Sequence, residues 1–139
     1  MANLGIILLA LLFPVISTTT QNIEKSFLQN NPKILYSLFS SKSSVNISLP
    51  EPISFSDQVT NQQAYFFFRK IFTSYTTFEF FAEEEPPTLP EEPNFIFKAK
   101  WSFTDKKNNK RHVFRIFFFL IDEDQKNTWK IIEIKAEKI

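Results

Sequence analysis

Proton transfer near neutral pH needs a side chain that titrates there, and the 139-residue chain has one imidazole, His112. An imidazole in an apolar pocket beside a Tyr or Trp donor can be tuned by burial into a general base. Trp101 and Phe103 are the neighbours expected for it. No carboxylate can be matched to His112 by spacing, and a lone histidine beside the lysine-rich turn 105–110 (DKKNNK) more often marks a solvated rim. Glu79 alternates with Phe78 and Phe80, so it is expected to point away from their face, toward water. Tyr36, Tyr65 and Tyr75 fit as amphipathic edges of a core.

Composition removes most other chemistry. With no Cys there is no thiolate nucleophile, disulfide or zinc–thiolate site, and one His cannot build a multi-histidine metal centre, so no metal is expected. The one glycine, Gly5, lies near the N-terminus, which leaves no glycine loop to cradle a phosphate and no cofactor to expect. A net charge of +1 gives no field to draw in nucleic acid. Residues 83–93 (EEEPPTLPEEP) hold five Glu and four Pro. They read as a stiff solvated connection, because Ca²⁺ loops want Asp, Asn and Gly that turn sharply round the ion. Lys98, Lys100 and Arg115 would share one sheet face and could meet an acidic partner, although like charges side by side need solvent or counter-ions. Asn46-Ile47-Ser48 is a formal glycosylation sequon.

Residues 1–17 carry an apolar run from Leu4 to Ile16, too short for a helix to cross a bilayer, which takes about 20 residues, but suited to a secretory signal. Cleavage is expected near Ser17, leaving an exported protein, periplasmic or secreted, with no stable membrane anchor and one domain over residues 22–139. A buried N-terminal helix and an uncleaved anchor are the alternatives, since the start lacks Lys and Arg.

The elements that must position His112 follow in order. Ile23 and Phe27, with Leu28, make a helical face. Asn31 caps a second helix with Pro32 at its first position, where Leu35, Leu38 and Phe39 supply the apolar stripe. Val45, Ile47 and Leu49 alternate as a half-buried strand, and residues 53–55 suggest a short extended piece. Thr60 and Gln63 form a capping box, with Val59 and Ala64 placed for a hydrophobic staple. Ala64, Phe67, Phe68, Ile71 and Phe72 then recur as the stripe of the main helix, widened by Tyr65 and Phe66. Residues 76–81 read as a strand.

The closing half is a meander of three strands. Phe95, Phe97, Ala99, Trp101 and Phe103 share one face, and matching apolar sides pairs Phe103 with His112, Trp101 with Phe114, Ala99 with Ile116 and Phe97 with Phe118. The segment 111–121 (RHVFRIFFFLI) is apolar on both faces and must be central and covered on both sides. In the last strand the inward set is either Ile132 with Ile134 or Trp129 with Ile131.

This order resembles the nuclear transport factor 2-like superfamily, and within it a family of small exported bacterial proteins of unknown function. The matching residues are Val59 to Ala64 opening a helix that ends Lys70-Ile71-Phe72, then Phe114 to Phe117, then Ile131 to Lys135. The resemblance implies an α+β fold: a strongly bent, mixed or antiparallel sheet whose concave face holds the N-terminal helices. It implies a homodimer through the outer sheet face, where Val113, Phe117 and Phe119, with Phe81 and Ile96, would leave a large apolar patch. A small apolar ligand in the cone would be lined by Phe67, Phe68, Trp101, Phe103, His112 and Phe114. A non-catalytic module that binds such a ligand or a protein partner is the expected function. The alternative is a cofactor-independent isomerase or dehydratase, as in other members of the superfamily.

Overall fold

The computed structural model describes residues 15–86 and 92–139. Helix α1 (Val15–Leu28) and the short α2 (Pro32–Tyr36) lead into strands β1 (Val45–Leu49) and β2 (Phe55–Val59). The long helix α3 (Asn61–Ser74) and strand β3 (Tyr75–Ala82) follow, and the chain closes with β4 (Asn94–Asp105), β5 (Arg111–Asp122) and β6 (Trp129–Lys138). The strands form one sheet in the order β2-β1-β6-β5-β4-β3, curled but unclosed. β1 runs parallel to β6 and every other pair is antiparallel.

The register of the central hairpin follows from side-chain sorting. Phe97 pairs with Phe118, Ala99 with Ile116, Trp101 with Phe114 and Phe103 with His112, as matching the apolar faces requires. Beside them, α3 opens with the expected capping box: the Thr60 hydroxyl accepts from the Gln63 amide at 3.2 Å, and the Gln63 side chain accepts from the Thr60 amide at 2.9 Å. Ala64, Phe68, Ile71 and Phe72 turn inward from this helix. In α2, the Asn31 side chain accepts from the Lys33 amide at 3.0 Å with Pro32 in the first turn.

Several elements depart from the sequence pattern. The first described helix already includes Val15, well before Asn22, because Ile16, Thr19, Thr20, Ile23 and Phe27 form one continuous buried stripe. Ser17, the expected cleavage position, therefore lies inside α1, while residues 1–14 of the expected leader fall outside the described residues. Helix α2 stops at Tyr36, and Leu38 and Phe39 reach the core differently. The Ser40 amide donates to the Ile131 carbonyl at 3.0 Å and the Ile131 amide to Leu38 at 2.7 Å, so these residues dock beside β6. β2 spans Phe55–Val59, so of the short piece expected at residues 53–55 only Phe55 lies in a strand, the Ile53 and Ser54 amides both donating to the Pro50 carbonyl in a turn.

Two bulges change which side chains face inward. In β3 the pairing skips Phe78, between Thr77 opposite Phe103 and Glu79 opposite Ser102. Phe78 is thereby turned out to 59% exposure while Phe80 is buried, so the two do not share a face as simple alternation suggests. On β6 the pairing skips Ile132, between Leu120 opposite Ile131 and Phe119 opposite Glu133. Trp129 and Ile131 point inward before the bulge and Ile134 after it, which joins halves of both expected sets.

Asn30 locks the helices to the sheet. It ends α1 in the left-handed region, φ 50°, with the Asn31 amide donating to Ser26 at 2.8 Å and the Asn30 amide to Phe27 at 3.1 Å, a Schellman cap with asparagine where glycine is usual. Its side-chain amide donates to the carbonyls of Phe72 at 3.3 Å and Tyr75 at 3.0 Å, and its oxygen accepts from the Thr77 amide at 3.3 Å. One side chain thus joins the end of α1 to the end of α3 and the start of β3. Asn30→Ala loses these bonds and adds left-handed strain, an expected loss of about 2–3 kcal/mol in urea unfolding. Asn30→Gly loses the bonds but not the favourable backbone and should cost about 1 kcal/mol less; equal losses would show that the backbone conformation contributes nothing.

Candidate functional site

The cone between helices and sheet is the natural place for a site, and its interior is built of rings. Phe27 comes down from α1 and lies 4.7 Å from Phe80, 5.0 Å from Trp101, 5.2 Å from Phe72, 5.6 Å from Phe118 and 6.0 Å from Phe68. Most of these are edge contacts, the geometry in which ring quadrupoles attract. Trp101 continues the cluster to Phe103 at 4.2 Å and Phe114 at 5.8 Å. Its indole N–H donates to the Thr77 hydroxyl at 3.0 Å, so its one polar atom is satisfied inside the core.

Of the residues expected to line a pocket, Phe68, Trp101, Phe103 and Phe114 are brought together and fully buried. Phe67 lies toward the β2 edge, its ring 4.2 Å from Phe55 and edge-on to Phe68 at 5.2 Å. His112 stands at the rim, half-buried, stacked on Phe103 at 5.5 Å. Burial holds its pKa below the ordinary 6.5, Lys110 and Lys138 push the same way, and Asp105 opposes them. Among the described residues no carboxylate is hydrogen-bonded to it, and no group of three His, Asp or Glu side chains could hold a metal ion.

The outer face of the sheet carries Val113, Phe117 and Phe119, each half-buried, with Ile96 at 50% and Phe81 at 41% exposure. Four of its cations are engaged within the chain, while Lys135, opposite Phe117, is exposed. The Lys98 ammonium lies 5.8 Å from the Phe117 ring centre and 3.9 Å from Glu84, and the Lys100 ammonium 5.9 Å from Phe81. Arg111 lies over Phe78 at 3.9 Å. Arg115 donates to Glu83 at 2.9 Å and Glu137 at 3.4 Å. The acidic segment expected to be a solvated connection thus begins by pairing with the sheet; its residues 87–91 lie outside the described residues.

No family model matches the chain, and no curated protein matches it in sequence. Solved structures match it in shape. A DUF4783 family protein from Bacteroides uniformis aligns with a TM-score of 0.65 at 13% identity, covering 86% of this chain and 95% of that one. A ketosteroid isomerase-like protein from Erwinia carotovora atroseptica aligns with a TM-score of 0.68 at 11% identity, covering 91% and 95%. An NTF2-like protein from Cytophaga hutchinsonii aligns with a TM-score of 0.60 at 12% identity, covering 90% and 96%. The chain has the nuclear transport factor 2-like fold.

Within this nuclear transport factor 2-like cone, the residue that sequence reasoning passed over is Phe27. Its helical face was legible from Ile23 and Phe27, but no local pattern says that its ring reaches five others at the centre. The lone histidine gives the fold a clean reporter. An unfolded imidazole takes up its proton near pH 6.5, whereas the folded one resists until lower pH, so stability declines as pH falls from about 6.5 through the folded pKa. The ring protons of His112 should titrate by NMR as one group with a midpoint below about 6.5. His112→Gln should remove the histidine-linked slope from the urea midpoint over that window, and a midpoint above the ordinary value would mean that the ring is not held as described.

Proposed function

We propose that the protein is a non-catalytic interaction module that pairs through the outer face of its sheet, with the cone serving as its structural core. The observation that carries this is Phe27: its ring and those of Phe68, Phe72, Phe80, Trp101 and Phe118 occupy the region where a cone enzyme holds its substrate. Isomerase chemistry, suggested by one neighbour's description as ketosteroid isomerase-like, needs a base and a donor around an apolar space that admits a ligand. Among the described residues, His112 at the rim has no carboxylate hydrogen-bonded to it to orient it. A small apolar ligand in the cone would have to displace well-packed rings.

The outer face supports the pairing. Ile96 and Phe119 are directly opposed across β4 and β5, and Lys98 and Phe117 form the next row. Apolar side chains interleaved with charged ones, as Ile96, Phe119 and Phe117 are with Lys98, Glu133 and Lys135, suit an interface that also has to stay soluble when unpaired. The partner that suits it best is a second copy of the same sheet, since a two-fold contact places each apolar row against its twin. Export belongs to the same proposal and rests on the apolar run from Leu4 to Ile16.

Light scattering tests the pairing. The full chain should run at twice its 16.4 kDa mass, and Phe117→Glu should run at the single-chain mass with an unchanged circular dichroism spectrum. A wild-type chain at the single-chain mass across micromolar concentrations would end the proposal. The filled core predicts separately that Phe27→Ala costs about 3–5 kcal/mol of stability, the range for emptying a well-packed aromatic site. A loss below about 1 kcal/mol would mean that the ring does not fill the cone.

A further inference from the structure

The helical side of the molecule carries a groove that belongs neither to the cone nor to the outer sheet face. It lies between α2 and α3, has a volume of about 420 Å³, and is lined by Lys33, Tyr36, Gln62, Tyr65 and Phe66. That volume falls in the range of small-molecule sites. The Tyr36 and Tyr65 rings meet edge-on at 5.2 Å, and Phe66 lies 5.4 Å beyond Tyr65 with 58% of its surface exposed. The groove wall is therefore a run of aromatic faces and edges.

The polar lining is one-sided. The Lys33 ammonium and the Tyr36 and Tyr65 hydroxyls have no hydrogen-bond or ion-pair partner among the described residues. Neither helix contains an Asp or Glu. On the far side of Phe66 a second groove holds Arg69 and Lys70, which are likewise without ion-pair partners among the described residues. On the sheet, by contrast, Lys98, Lys100, Arg111 and Arg115 are each taken up by the chain's own rings or carboxylates, and Lys135 alone of the outer-face cations described stands free. Free donors and unpaired cations around apolar rings are complementary to an anion with a flat apolar body.

We infer that the groove between α2 and α3 binds small aromatic carboxylates, the carboxylate on Lys33 and the tyrosine hydroxyls and the ring against Tyr65 and Phe66. The site is independent of sheet pairing, because a contact through the outer face of the sheet leaves the helices uncovered.

The test uses the full chain labelled with ¹⁵N and titrated with 2-naphthoate, with 2-naphthalenemethanol as the neutral probe of the same shape and decanoate as a flexible anion. 2-Naphthoate should saturate with a dissociation constant of about 0.1–1 mM, the range open to a ligand of its size. The shifted amides should centre on Lys33, Tyr36, Gln62, Tyr65 and Phe66. Lys33→Glu and Phe66→Ala, both at solvent-facing positions and compatible with folding, should each weaken it about tenfold, and the alcohol should bind about tenfold more weakly than the acid. Decanoate should bind more weakly than 2-naphthoate. Equal affinity for acid and alcohol would reduce the groove to general apolar adhesion, and tighter binding of decanoate would assign it to chain-like anions; either overturns the inference. So would shifts centred on the outer sheet face, or no saturation by several millimolar 2-naphthoate. An unchanged single-chain mass in the light-scattering experiment leaves this site standing, so the two readings fail separately.

Discussion

The constraint on which the fold depends is that β5 lies at the centre of the sheet and buries its concave face. Its inward set, Phe114, Ile116, Phe118 and Leu120, is wholly buried, and its outward set of Val113, Arg115, Phe117 and Phe119 is half-buried. Each fully buried side chain of this kind is worth about 1.5–3 kcal/mol. A slip of one residue would exchange the sets and bring Arg115 into the cone, trading that gain for an unpaired buried cation. The hairpin therefore cannot slip by one residue. Once β5 is fixed, β4 and β6 are fixed on either side of it, and the concave face they share must be closed by something apolar. Phe27 and the inward stripe of α3 supply the closure, and Asn30 holds the two helices at the height where their rings meet.

How much of this is legible in the residues depends on the range of the interaction. The capping box at Thr60 and Gln63 and the Asn31 cap are local chemistry, complete within four residues, and both stand as read. The pairing of Trp101 with Phe114 is long-range but is dictated by period-two sorting in two long strands joined by a short turn, so it too was accessible. Bulges are different. Skipping Phe78 or Ile132 costs little locally and is decided by the curl of the whole sheet, so Phe78 looked like a partner of Phe80 and the inward set of β6 could not be chosen. The N-terminal stripe is harder to read for another reason: Thr18, Thr19 and Thr20 look like the polar end of a leader, and Thr19 and Thr20 are also buried in a helix that includes Ile16. The candidate site was legible as a set of aromatic residues sharing one space. That the space is filled was not, since it depends on a ring delivered from more than 70 residues earlier than Trp101.

The two surfaces of the molecule divide its charges in opposite ways. On the sheet, Lys98, Lys100 and Arg115 lie over rings or reach to Glu83, Glu84 and Glu137, so the exposed aromatics are partly sheltered and most of the face's positive charge is compensated. On α2 and α3 the basic side chains stand beside rings with no acid on either helix. A nearly neutral total therefore conceals one self-compensated surface and one that is not. The difference matters for recognition: the first suits a copy of itself and the second suits an anion.

The region described holds no glycine, and the backbone positions at φ 50° to 62° are filled by Asn30, Ser54, Asn109, Gln125 and Asn127. Each residue bearing a Cβ explores fewer conformations when unfolded than glycine does, a gain of about 0.4–1 kcal/mol where the native backbone suits it, which at these left-handed positions is set against the strain the Cβ brings. A chain built this way begins with less freedom to surrender. Part of its persistence is thus a property of a stiff polymer, present before any ring has found its neighbour.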